Sequence, residues 1–150
     1  MNRNLLNKRV AEKMVGRVQQ LQSDSKANWG TMNATEMLLH INICNNQILD
    51  GDIKFSKTTL KQRLLRIVGL YIAPNFPKNL PTEPANDTKG VIKEAQFENQ
   101  KKKLIKTIEK FGERKKPIAL THPAFGNLNT NQWGIAAYKH TDHHLRQFGV

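Results

Sequence analysis

Apolar residues recur every three or four positions through most of the chain, with polar residues on the intervening face, so helices are the predicted element throughout. Over residues 5–21 the apolar positions are Leu6, Val10, Met14, Val18 and Leu21, steps of four and three that define a first amphipathic helix. Small and polar residues at 23–30 connect it to a second, opened by Asn33-Ala-Thr-Glu36. That sequence is a capping box: the Asn side chain accepts from an orphan amide and the Glu carboxylate reaches back. The inward stripe of the second helix is Met37, His40 or Ile41, Cys44 and Ile48, and Asp50-Gly51 ends it. A third helix is predicted over 58–72, with Leu60, Leu64, Ile67, Val68 and Tyr71 on its buried side and Pro74 as its stop.

Residues 74–90 set Pro74, Pro77, Pro81 and Pro84 among Asn and Thr, a long proline-rich loop of the kind that is usually functional or disordered. A fourth helix over 94–111 is signalled by Phe97, Leu104, Ile105, Ile108 and Phe111, with Gly112 as its stop. Thr121-His-Pro-Ala-Phe-Gly126 is rich in turn formers and reads as a second ordered loop. Asn129-Thr-Asn-Gln132 repeats the capping box and opens a last helix from Trp133 to about Phe148, with Trp133, Ala137, His140 and His144 in its stripe. No segment alternates with period two over a convincing length. The predicted fold class is therefore all-α, a helical bundle forming one domain over residues 1–150.

Composition narrows the function classes. A 150-residue chain with 38% hydrophobic residues can bury one core. Its best apolar run, residues 64–73, carries Arg66 and is too short to span a bilayer, and the basic N-terminus lacks the apolar segment of a signal peptide. A soluble, cytoplasmic protein without a membrane partner is expected. Cys44 is the only cysteine, which rules out an intramolecular disulfide and a Cys-rich zinc site. The net charge of +12 favours anionic partners. Yet the basic residues are spread out, and the two local clusters, Lys101 to Lys103 and Arg114 to Lys116, lack interleaved aromatics, so nucleic acid is not the expected partner.

The candidate chemistry lies in the histidines. His140 and His144 are one helical turn apart on one face and can bind the same ion, and His40 can supply a third nitrogen from the second helix. Three protein nitrogens leave a position for water or substrate. His143 is rotated about 60° from His140 and 100° from His144, too far to join that ion. Asp142 lies nearly opposite the pair and reads as a solvated carboxylate. Gln147 is placed either to hydrogen-bond near the site or to end the helix. Cys44, one turn beyond His40, reads as a small buried hydrophobe, and Trp29 and Trp133 as core residues beside helix starts. His122 precedes a proline, so its backbone is extended, and it is the candidate acid/base.

The stretch Trp29 to His40, with its Asn-Ala-Thr-Glu-Met-Leu-Leu-His core, and the late His140-Thr-Asp-His-His-Leu-Arg-Gln147 together resemble the DinB/YfiT-like superfamily over essentially the whole length. The likeness is to a branch of it without an assigned reaction. The resemblance implies a DinB-like four-helix bundle in up-down-down-up order with an additional short helix, often dimeric. It also implies a divalent metal held by three histidines, which map onto His40, His140 and His144. The implied occupant is a transition metal, zinc or nickel first and iron or copper otherwise. The implied activity is a metal-dependent thiol S-transferase, with a low-molecular-weight thiol as cosubstrate, or a hydrolase, acting on a small molecule. A non-catalytic helical binding or stress-response module with a structural or absent metal is the alternative.

Overall fold

Asn7, Asn33, Thr59 and Asn129 each accept a hydrogen bond from the amide three residues on, and these caps start four helices. In the computed structural model, which describes residues 3–51 and 56–150, the helices are α1 (Lys8–Gln20), α2 (Ala34–Asp50), α3 (Leu60–Ile67), α4 (Phe97–Glu113) and α5 (Thr130–Gln147). The caps of α2, α3 and α5 are full capping boxes, closed by Glu36, Gln62 and Gln132. α3 continues as a π-helical turn, Val68–Ile72, and a 3-10 turn, Glu94–Gln96, leads into α4.

Four of the helices form a bundle whose directions follow from the contacts. Asn42 and Arg114 bond across to the carbonyls of Gln100 and Leu49, so α2 and α4 run parallel. Lys101 reaches the carbonyls of Gln19 and Leu21, so α4 is antiparallel to α1. Asn4 meets Asn131 while Arg17 meets Asp142, so α5 runs with α1. The order is up-down-down-up, as expected. Parallel α2 and α4 need a long crossover, and α3 with the described residues up to 96 belongs to it. The core between the four helices includes Met14, Val18, Met37, Ile41, Leu104, Ile108, Phe111, Ala137 and Leu145.

The structure corrects three expectations. The turn-rich segment after α4 is a hairpin, β1 (Leu120–His122) antiparallel to β2 (Gly126–Leu128), with His122 opposite Gly126. Three-residue strands are too short for alternation to register. Gly112 does not stop α4, which runs on to Glu113. A Cβ at that position would stand 3.0 Å from the Ala11 side chain, so the glycine serves the close approach of α1. Finally, the apolar stripe predicted to be the buried side of α3 faces solvent: Leu60 is 74%, Leu64 58%, Ile67 49% and Tyr71 56% exposed. The inward face carries polar residues of α3 and, in the π turn, the buried Leu70. Gln62 bonds the Pro123 carbonyl, Arg66 bonds the Asn127 carbonyl, and Gly69 lies so close to the Phe125 ring that a Cβ would clash.

Candidate metal centre

His40 stands in the first half of α2 and His140 and His144 in the second half of α5, and the antiparallel packing of these helices brings the three rings together. His140 Nε2 is 3.1 Å from His40 Nε2 and 3.2 Å from His144 Nε2. Nitrogens about 2.0–2.1 Å from a common ion are separated by roughly 3 Å, so this spacing fits shared ligation.

The surroundings of His40 and His144 settle which ring nitrogen carries the proton in each. His40 Nδ1 lies 2.8 Å from the Asn86 carbonyl, which can only accept, so the proton is on Nδ1 and Nε2 is a bare lone pair. Gln147 Nε2 donates to the Trp29 carbonyl at 2.6 Å, which turns its Oε1 toward His144 Nδ1 at 2.9 Å. His144 therefore also donates from Nδ1 and leaves Nε2 bare. Two lone pairs thus point at the third imidazole, an arrangement that a cation satisfies, and the Nδ1–H···O bonds are those that orient metal-binding histidines. Burial lowers the pKa of all three: His40, His140 well below the ordinary value, and His144 to about 3, with the neighbouring imidazoles adding repulsion at His140 and His144. All are neutral, ligand-ready bases at pH 7.

Cys44 belongs to this cluster, contrary to its reading as a buried hydrophobe alone. Its Sγ is 3.9 Å from His40 Nε2, and the donor atoms of His40, Cys44 and His140 lie within 4.8 Å of one another, a group that can hold a metal ion. Burial pushes the thiol up to about 11, so without a cation it stays protonated. His40 and His144 are only 5% and 8% exposed, and His140 and Cys44 are half-buried.

The crossover closes part of the site. Glu36 caps α2 through the Asn33 amide at 2.8 Å and accepts from the Gly90 amide at 2.7 Å with its other oxygen. Thr88 donates to the Glu36 carbonyl and Gln47 to the Asn86 side chain, at 2.8 and 2.9 Å. These bonds pin the 3-10 turn Pro84–Asn86 against α2 and aim the Asn86 carbonyl at His40. Lys139, beside His140, donates to the Gly69 and Ala73 carbonyls at the end of the π turn.

The remaining candidates fall outside the ligand cluster. His143 turns its ring edge-on to Trp29, at 5.6 Å between centroids. Asp142 is not a free solvated carboxylate: it pairs with Arg17 at 2.6 Å and Arg146 at 2.9 Å, tying α5 to α1. His122 ends β1, stacks on Phe125 at 4.4 Å, and its Nδ1 accepts from the Ala124 and Phe125 amides. Burial depresses its pKa to about 4. Trp133 is buried and donates to the Leu120 carbonyl, as a core residue does.

Among the described residues no helix is long and apolar enough to cross a membrane. Comparison with curated proteins and with solved structures finds no match. A family model spans residues 1–149, and the chain belongs to that family, described as a protein of unknown function, DUF1569.

Proposed function

We propose that the chain is a DinB-like protein that binds one divalent transition metal through His40, His140 and His144 and uses it as a thiol S-transferase on a small molecule. The supporting observation is the pair of bare Nε2 atoms, fixed by Asn86 and Gln147, that converge on His140 Nε2. A divalent ion there would acidify an incoming thiol, or water, and so supply a nucleophile near neutrality. His40 and His144 are held with their Nε2 lone pairs free to ligate. His122 carries its proton on Nε2, because backbone amides occupy Nδ1, and serves as a hydrogen-bond donor at pH 7. Asp142 is held by two arginines and Glu36 by the α2 cap and Gly90, while Asp87, whose charge acts on His40, has one oxygen bound by the Lys89 amide; the preference for transfer over hydrolysis follows the family resemblance.

Cys44 favours a second reading, in which its sulfur joins the histidines and the ion is structural. Elemental analysis of protein purified without chelator should give about one equivalent of metal, absent from His140→Ala and kept by His143→Ala. Loss in His143→Ala as well, or no uptake of zinc or nickel above pH 7, would overturn the site. Cobalt loading separates the two readings. A near-ultraviolet thiolate band that vanishes in Cys44→Ser marks the structural site, and its absence, with thiol-transfer activity, marks the open one.

A further inference from the structure

Among the described residues, the exposed large apolar side chains are concentrated in one segment. Leu60, Leu64, Leu65, Ile67, Val68, Tyr71 and Ile72 of α3 and its π turn are between 42% and 74% exposed, and only Leu80 and Val91 lie elsewhere. These seven side chains leave on the order of 700 Å² open, above the roughly 300–600 Å² of an ordinary monomer's largest patch. The backbone beneath them is held from behind. Leu70 is buried, Gln62 and Arg66 bond the Pro123 and Asn127 carbonyls, and Lys139 and Arg3 donate to the carbonyls of Ala73 and Pro74 that end the turn.

The charge around this face is one-sided. Residues 56–82 carry Lys57, Lys61, Arg63, Arg66 and Lys78 and no acidic residue. Lys57, Lys61 and Arg63 are exposed and stand in no ion pair among the described residues. Two copies meeting here would set these cations against their own counterparts, because a two-fold interface opposes a patch to itself. A helical partner would need a seam of regular period, which the π turn interrupts. A bilayer surface of anionic phospholipid needs neither: it takes apolar side chains in any register and gains from each cation.

We infer that α3 and its π turn lie in the plane of an anionic lipid surface. Leu64, Ile67, Val68 and Tyr71 enter the acyl boundary, and Lys57, Lys61 and Arg63 meet the headgroup phosphates. Short apolar length excludes a spanning helix and led to the expectation of no membrane partner, but a helix lying in the interface needs no such length. The binding face is separate from the metal ligands, so its failure and that of the metal site are separately readable.

Flotation of the full chain with vesicles, with metal content measured alongside, tests this. Mixed phosphatidylcholine and phosphatidylglycerol vesicles should carry the protein, phosphatidylcholine alone should not, and binding should fall as salt rises. A chain of charge +12 adheres to anionic vesicles by charge alone, so the deciding variants keep every charge. Leu64→Gln/Ile67→Gln and, as a second pair, Leu60→Gln/Ile72→Gln should each bind at least about ten-fold more weakly, with unchanged helical circular dichroism and metal content. In Tyr71→Trp, the emission in excess of the wild type should shift to the blue on the mixed vesicles. A wild type that does not float, undiminished binding by either glutamine pair, or no shift in Tyr71→Trp would each overturn the proposal. A wild type that sediments as a dimer and becomes monomeric in the glutamine pairs would also overturn it, giving the face to a second copy.

Discussion

The α1–α4 pair and the α2–α5 pair build the same bundle with opposite chemistry. α1 buries Ala11, Met14 and Val18, and α4 buries Phe97, Leu104, Ile108 and Phe111 with Gln100 and Thr107 as its polar members. Their outer faces are charged and solvated. α2 and α5 bury Thr35, Glu36, His40, Asn42, Asn45, Lys139, Thr141, His144 and Gln147 among their apolar residues. Both amide atoms of Asn45 and the hydroxyl of Thr141 lack a hydrogen-bond partner among the described residues. Buried polar groups of this kind cost stability. One pair supplies cohesion, and the other spends some of it on holding imidazoles.

Acidification should break the comparison most strongly. His122 and His144, with folded pKa values of about 4 and 3, and His40 and His140, also lowered, stay neutral in the fold while the unfolded chain takes up protons below about 6.5. The folded values are depressed, so their contribution is complete above about pH 6.5 and is lost as pH falls toward 4 and 3. Each imidazole held neutral costs roughly 1 kcal/mol per pH unit in that window. Urea titrations of chelator-treated protein should therefore show several kcal/mol lost between pH 7 and 5, and a flat profile would contradict the burial of the cluster.

Truncation in the cohesive pair comes next. Leu104→Ala, at a fully buried position, should cost about 2–5 kcal/mol of unfolding free energy, while the folded variant keeps its metal stoichiometry. Loss of metal from protein that is still folded would show that the two pairs are not separable. The smallest effect belongs to the support of a proposed ligand, His144. Gln147→Ala removes the acceptor that fixes the His144 tautomer and should weaken metal affinity about 10- to 100-fold with little change in apo stability, measured by competition with a chromophoric chelator.

The difference between the pairs also explains what the sequence disclosed. Capping boxes at Asn33, Thr59 and Asn129 are complete within four residues, and the His140/His144 pair within five, so the helix starts and the shared face of the two imidazoles were legible locally. The outward direction of α3 was not, because periodicity identifies an apolar face without saying what it meets. Cys44 was indistinguishable from a core thiol until α5 was packed against α2. The partners of Asp142 and His40, namely Arg17 and Asn86, lie 125 and 46 positions away, and no local pattern announces them. The spacing of Gln147 from His144 left open whether it bonds near the site or only ends the helix, and its part in choosing a tautomer depends on Trp29, 118 positions earlier.

The separation of 100 residues between His40 and His140 also bears on when the centre can come into being. During synthesis the ribosome releases α2 long before α5, so His40 and Cys44 stand for much of elongation as a two-donor hook without its other half. The contacts that join α4 to α2 across the crossover are non-local, and such closure is slow compared with the nesting of adjacent hairpins. Capture of an ion by the proposed site would thus belong to the last stage of folding, after α5 has been made, and a loaded centre would report that the bundle has closed.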